Sequence, residues 1–160
     1  MHRRLVGGTL VTMKTLLLAR HAKSDWDVAG LRDHDRPLNA RGRRDAPALA
    51  RRLVDDGVHV QRIVSSTATR ARSTATEYAA AFALSVSEQP ALYAASARTI
   101  LGIAADLPDE FEVAMLVGHN PGMADAVAEL TGSFLEFPTC AVAECSVDVG
   151  VVAPPRDSRI

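Results

Sequence analysis

Two histidines in this chain stand where apolar runs stop. Thr15-Leu16-Leu17-Leu18-Ala19 leads into Arg20-His21-Ala22, and Val113-Ala114-Met115-Leu116-Val117 leads into Gly118-His119-Asn120-Pro121. A neutral imidazole nitrogen is a nucleophile, and the guanidinium beside His21 is a permanently charged fork that grips phosphate through two hydrogen bonds. A third segment adds a second fork: Ser65-Ser66-Thr67-Ala68-Thr69-Arg70 follows the run Val60 to Val64. Each has a bland explanation alone. A strand-end histidine is commonly a solvated loop residue, Ser-Ser-Thr before a helix is commonly a cap, and an arginine in that helix commonly faces water. Together, two guanidiniums, two imidazoles and a helix N-terminus on one rim make a set that can hold and transfer a phosphoryl group.

The elements that must position them follow from pattern. An apolar run of about five residues bounded by Gly, Pro or charge reads as a strand buried on both faces, as in parallel sheets, whose ligands bind beyond the carboxyl ends of the strands. Strands are predicted at Thr15–Ala19, Val60–Ser65, Ser85–Glu88, Val113–Val117 and Thr139–Val149. Helical stretches alternate with them. Asn39 caps a helix whose Ala46, Leu49, Ala50 and Leu53 share a face, with Pro47 set to kink or divide it. Further helices run through Arg70 to Phe82, from a Ser96 cap through Ile100 and Ile103, and over Gly122 to Leu130. The predicted class is α/β, a three-layer sandwich with a central, mostly parallel sheet flanked by helices. Residues 13–152 form the domain, residues 1–12 a loose N-terminal extension and residues 153–160 a frayed tail.

Composition agrees with one ordinary core: 160 residues, 48% of them hydrophobic. With 18 basic and 19 acidic residues the formal net charge is -1, so no overall field favours nucleic acid or an anionic membrane, and no apolar run approaches the roughly 20 residues that span a bilayer. The two cysteines, Cys140 and Cys145, lie on opposite faces of the last strand by their odd spacing, which precludes a mutual disulfide and suits a reducing cytoplasm.

In order along the chain, Leu18-Ala19-Arg20-His21-Ala22-Lys23-Ser24-Asp25-Trp26-Asp27, Leu38-Asn39-Ala40-Arg41-Gly42, Ser65 to Thr74, and Gly118-His119-Asn120 resemble the motifs of the histidine phosphatase superfamily. Length and the Arg-His-Ala-Lys-Ser form resemble its short SixA-type phosphohistidine phosphatase branch. The resemblance implies a phosphoglycerate mutase-like fold, His21 as the nucleophile that becomes a transient phosphohistidine, and Arg20, Arg70 and His119 as the groups that bind and stabilise the phosphoryl oxygens. Ser24 is a further candidate donor to phosphate. The implied activity is hydrolysis of phosphohistidine on a small protein, releasing inorganic phosphate, with no cofactor. A broader phosphomonoesterase acting on small phosphate esters and a non-catalytic phosphate-binding module are the alternatives. The latter has no use for His21.

Ala22 stands where the family most often has Gly, and Asp27 where many members have Asn, so Asp27 is expected to point away from an anion. The stretch Ala91-Leu92-Tyr93-Ala94-Ala95-Ser96, where ester-cleaving relatives place an acidic proton donor, has no carboxylate; Glu88 and Asp106 are the nearest acids. An alkoxide leaving group calls for a general acid contributing about a hundredfold to ten-thousandfold, whereas imidazole is far less basic. The missing acid therefore favours phosphohistidine. A metal site is not expected, since the histidines flank arginines and lack paired ligand spacing. His34 reads as part of a solvated charged loop, His59 as structural at the wrong strand end, and Trp26 as packing for its loop.

Overall fold

The computed structural model describes residues 3–6, 9–27 and 29–149. Strands β1 (Arg3–Val6), β2 (Thr9–Arg20), β3 (Arg62–Ser65), β4 (Val86–Glu88), β5 (Val113–Gly118) and β6 (Val142–Val149) belong to one sheet, and helices α1 (Ala40–Asp55), α2 (Thr69–Phe82), α3 (Ala97–Ala105) and α4 (Gly122–Thr131) cover it. The order β2-β5-β3-β4 is parallel throughout, while β1 and β6 both pair antiparallel with β2. The sheet is mostly parallel, as its apolar runs require.

Alternation along the strands builds two cores. Leu16, Leu18, Val64 and Leu116 face α3 and α4, packing with Ile100, Met123, Ala126 and Val127. Leu17, Ala19, Ile63, Met115 and Val117 face the other way, onto Ala50 of α1 and Ala71, Ala75 and Tyr78 of α2. Strands buried on both faces need apolar residues at successive positions, so the three layers follow from the unbroken runs. Among the described residues no helix is long and apolar enough to cross a membrane.

Helix α1 begins where the sequence indicates: Asn39 Oδ1 accepts from the Gly42 N–H. Pro47 lies within it and does not divide it. A proline removes one backbone donor from the ladder, and the buried Ala46 and Ala50 on either side keep that turn packed. Ser96 caps α3 through the Thr99 N–H, again as the pattern requires.

Two expectations differ from the structure. Residues 3–6 and 9–12 are not a loose extension, because Arg3–Val6 pairs with Thr9–Thr12 at the start of a longer first strand. Leu5-Val6 and Thr9-Leu10-Val11 flank Gly7-Gly8 in sequence, a two-residue hairpin signal that terminal position alone does not reveal. The last strand starts at Val142 and not Thr139, so Cys140 precedes it, in the left-handed region at φ 66°, while buried Cys145 lies within it; both are free thiols. The tail expected over 153–160 lies outside the described residues.

Candidate active site

Register brings the motifs together. Arg20 pairs with Gly118 across β2 and β5, and the His21 N–H donates to the Gly118 carbonyl at 3.0 Å. Ser65 pairs with Val117 across β3 and β5, and the Ser66 N–H donates to the Val117 carbonyl at 2.9 Å. Three adjacent parallel strands thus end side by side, with His21 and His119 ring centres 5.0 Å apart. They open into a cavity of about 370 Å³ lined by Arg20, His21, Ser24, Arg70 and His119, together with Lys23, Trp26, Asp33, Arg36, Tyr93, Ala94, Asn120 and Thr139. All five residues singled out from the sequence meet there.

The hydrogen bonds of His21 fix its tautomer. A carbonyl only accepts, so the 2.7 Å contact of Nδ1 with the Ala22 oxygen places the proton on Nδ1 and leaves the lone pair on Nε2. Arg70 Nε–H donates to that lone pair at 3.2 Å. Burial pushes the His21 pKa down to about 4, helped by the charges of Arg70, Arg20 and Arg36 and opposed by the bond to Ala22. The ring is therefore neutral at pH 7, the state in which an imidazole attacks phosphorus. His119 is likewise buried, its pKa lowered to about 3 by desolvation and then by His21 and Arg70. Its Nε2 pairs with Ser66 Oγ at 2.8 Å, while Nδ1 is buried and makes no hydrogen bond. A Ser66 hydroxyl donating to Nε2 leaves the proton on Nδ1, a donor suited to a phosphoryl oxygen.

The loop carbonyl of Phe137 accepts from Arg20 Nη1 at 2.8 Å and from Asn120 Nδ2 at 2.9 Å, so residues on two strand ends are aimed by one backbone oxygen. Arg20 Nε is buried and makes no hydrogen bond. Gly42 explains the second motif, because a Cβ there meets the Lys23 carbonyl, which also accepts from the Asn39 N–H; the start of α1 thereby packs on the loop after His21. Buried Ala22 sits with its N–H donated to Thr74 Oγ1 on α2.

Sequence reasoning missed Asp33, Arg36 and Tyr93. Asp33 Oδ2 accepts from Arg70 Nη2 at 3.0 Å and from the Tyr93 hydroxyl at 2.8 Å, and its Oδ1 accepts from Arg36 Nε at 3.0 Å. The Asp33 carboxyl is driven down to about 2, against a desolvation penalty, by the hydrogen bond from Tyr93 and by the charges and bonds of Arg70 and Arg36. Arg36 is itself buried and stacks on Trp26 with its guanidinium carbon 3.4 Å from the ring centre. The available signal was the cluster Asp33-His34-Asp35-Arg36 held before Pro37-Leu38, whose Leu38 is a buried anchor. His34 is not simply solvated, for its Nε2 pairs with Thr67 Oγ1 at 3.0 Å and its ring meets Tyr93 edge-on.

Asp27 is exposed and outside the cavity lining, as expected of an anion there. Trp26 is 69% exposed at the cavity, more a rim residue than loop packing. His59 sits beside Thr15 and Val113, at the opposite end of the strands. Glu88 pairs with Arg72, and Asp106 caps the end of α3; neither lines the cavity.

The family model of the histidine phosphatase superfamily (branch 1) matches residues 16–132, a span containing Arg20, His21, Ser24, Asp33, Arg36, Arg70, Tyr93 and His119. The chain belongs to the histidine phosphatase superfamily. It is 36% identical over 141 residues to an uncharacterized chloroplastic protein of Arabidopsis thaliana, covering 79% of this chain and 63% of that one, so it spans less than two thirds of that relative's length. Among solved structures it is similar to one described as a candidate phosphohistidine phosphatase SixA from Agrobacterium tumefaciens, with 31% identity, a TM-score of 0.77 and coverage of 88% of this chain and 98% of the other. The fold is also that of the protein histidine phosphatase SixA complexed with tungstate, at 24% identity, a TM-score of 0.74 and coverage of 84% and 93%. In this member of the superfamily, then, the cavity at the ends of β2, β3 and β5 collects the motif residues Arg20, His21, Arg70 and His119.

Proposed function

We propose that the protein hydrolyses phosphohistidine carried on a protein, in two transfers through His21. In this reading His21 Nε2 attacks phosphorus in line, Arg20, Arg70 and His119 hold the phosphoryl oxygens, Ser24 adds a hydrogen bond, and water then takes the phosphoryl group from His21 to give inorganic phosphate. Phosphoryl transfer asks mainly for positioning and charge stabilisation, which two guanidiniums and an imidazole donor supply without a metal. The 31% identical neighbour described as a candidate phosphohistidine phosphatase supports the substrate class.

One observation carries the specificity. Among the described residues lining the cavity Asp33 is the only carboxylate, and it is ionised, with three donors from Arg70, Tyr93 and Arg36. An ionised carboxylate cannot protonate an alkoxide. A substrate whose leaving group needs no proton at the departing atom fits the site. Free, separate cysteines suit a reducing compartment, and we take the cytoplasm as the setting.

The test compares kcat/KM for a phosphohistidine peptide, para-nitrophenyl phosphate and an alkyl phosphate. Phosphohistidine should exceed the alkyl ester by about a hundredfold or more, the lower range of general-acid assistance, with the aryl ester between. Equal turnover of alkyl ester and phosphohistidine overturns the reading in favour of a broader phosphomonoesterase.

A further inference from the structure

Asp33 is an anomaly in this cavity. Arg20, Lys23, Arg36 and Arg70 line it with positive charge suited to a phosphoryl group, yet an ionised carboxylate stands among them. At rest it is paired with Arg36 and Arg70, and a phosphoryl group that draws Arg70 away leaves it with room for another cationic donor.

Resting on the phosphohistidine reading above, we propose that Asp33 recognises the substrate's imidazole ring, accepting a hydrogen bond from its protonated distal nitrogen. The chemistry of the leaving group demands such a partner. When His21 Nε2 forms the new P–N bond, the electron pair of the old P–N bond returns to the substrate ring nitrogen. If the distal nitrogen carries a proton, the ring departs as neutral imidazole; if not, it departs as a strongly basic imidazolate. No proton is added at the departing atom. A carboxylate beside the distal N–H favours the protonated form, and the surrounding cations by themselves oppose it.

Geometry gives Asp33 the reach. Arg70 spans the two groups, its Nε 3.2 Å from His21 Nε2 and its Nη2 3.0 Å from Asp33 Oδ2, so the carboxylate lies two hydrogen bonds and one guanidinium away from the attacking nitrogen. An in-line substrate has to fit a phosphorus at about 3–3.5 Å from Nε2, then a P–N bond, then the width of an imidazole. In the resting site the lone pairs of Asp33 are filled, Oδ1 by Arg36 and Oδ2 by Arg70 and Tyr93. Attack requires Arg70 to leave His21 Nε2, and a phosphoryl oxygen is the anion that draws it away; the same shift releases Oδ2 for the ring N–H. Tyr93, which lines the cavity and donates to Asp33, places an aromatic ring beside an imidazolium held there.

The experiment measures kcat/KM for a phosphohistidine peptide and for para-nitrophenyl phosphate in wild type, Asp33→Asn and Asp33→Glu, with the inhibition constant of vanadate as a reading of the phosphate clamp alone. A charge-assisted hydrogen bond to the leaving group predicts that Asp33→Asn lowers the ratio of phosphohistidine to aryl phosphate turnover by about tenfold or more, beyond any change in vanadate binding, and that Asp33→Glu keeps most of the ratio. Equal losses on both substrates, matching the loss in vanadate binding, overturn the inference and leave Asp33 as a holder of Arg70. A wild type that cleaves the aryl ester but not phosphohistidine refutes the proposed function itself, and the inference falls with it.

Discussion

Arg70 Nε lies 3.2 Å from His21 Nε2 and donates to it, so the unprotonated nitrogen of His21 is capped by a guanidinium. The Asp33 backbone oxygen, 2.6 Å from Arg70 Nη1, holds the same guanidinium from its far side. Arg70 is thereby held between His21 and Asp33, and on the proposed route a phosphoryl group exchanges partners with it.

His21→Ala should abolish turnover with the fold retained, and rapid quenching of the wild type should trap acid-labile phosphate on His21. Arg70→Ala and His119→Ala should each lower kcat by about a hundredfold to a thousandfold, the range for losing one preorganised donor. Arg70→Lys should not restore it, since an ammonium cannot span His21 and phosphate as a fork does. Substantial activity in His21→Ala refutes the covalent route.

Both histidines should stay neutral through mild acid. An unfolded histidine takes up a proton near pH 6.5, whereas His21 does so at about 4 and His119 at about 3. Between about pH 6.5 and 4 the unfolded chain therefore binds more protons, so stability rises with pH across that window and acidification costs on the order of a few kcal/mol. Urea midpoints at pH 7 and pH 5, with NMR titration of the two rings, check both statements; ring protonation near pH 6.5 contradicts them.

Chelation should leave activity unchanged. Arg20, Arg36 and Arg70 repel a dication, and the cavity's carboxylate already accepts from three side chains. Vanadate, which adopts the five-coordinate geometry of the phosphoryl centre, should inhibit competitively. EDTA inactivation reversed by a single divalent ion is the result that refutes a metal-free mechanism.

Gly42→Ala should destabilise the protein by about 1–3 kcal/mol, the usual cost of forcing atoms into packed space, although alanine is the better helix former. The added Cβ meets the Lys23 carbonyl, backbone that moves only by displacing the loop after His21. Thermal melting reads the stability, and a parallel fall in kcat would report the displaced loop. A variant more stable than wild type disproves the contact.

The residues by themselves determined the strands that end on Arg20-His21 and Gly118-His119, the caps at Asn39 and Ser96, and the α/β layering. These depend on local matters: runs of apolar side chains, a side chain's reach to nearby N–H groups, and the two-sided burial a parallel strand demands. Motif order also sufficed to gather Arg20, His21, Ser24, Arg70 and His119. Asp33, Arg36 and Tyr93 became part of the site only in three dimensions, because a charged loop has no periodicity to reveal which way it folds, and Asp33 and Tyr93 are 60 residues apart in sequence though 2.8 Å apart in space. The protonation state of His21 was equally out of reach of the sequence. Neutrality comes from burial and from neighbouring guanidiniums, quantities that exist only once β2, β3 and β5 lie side by side.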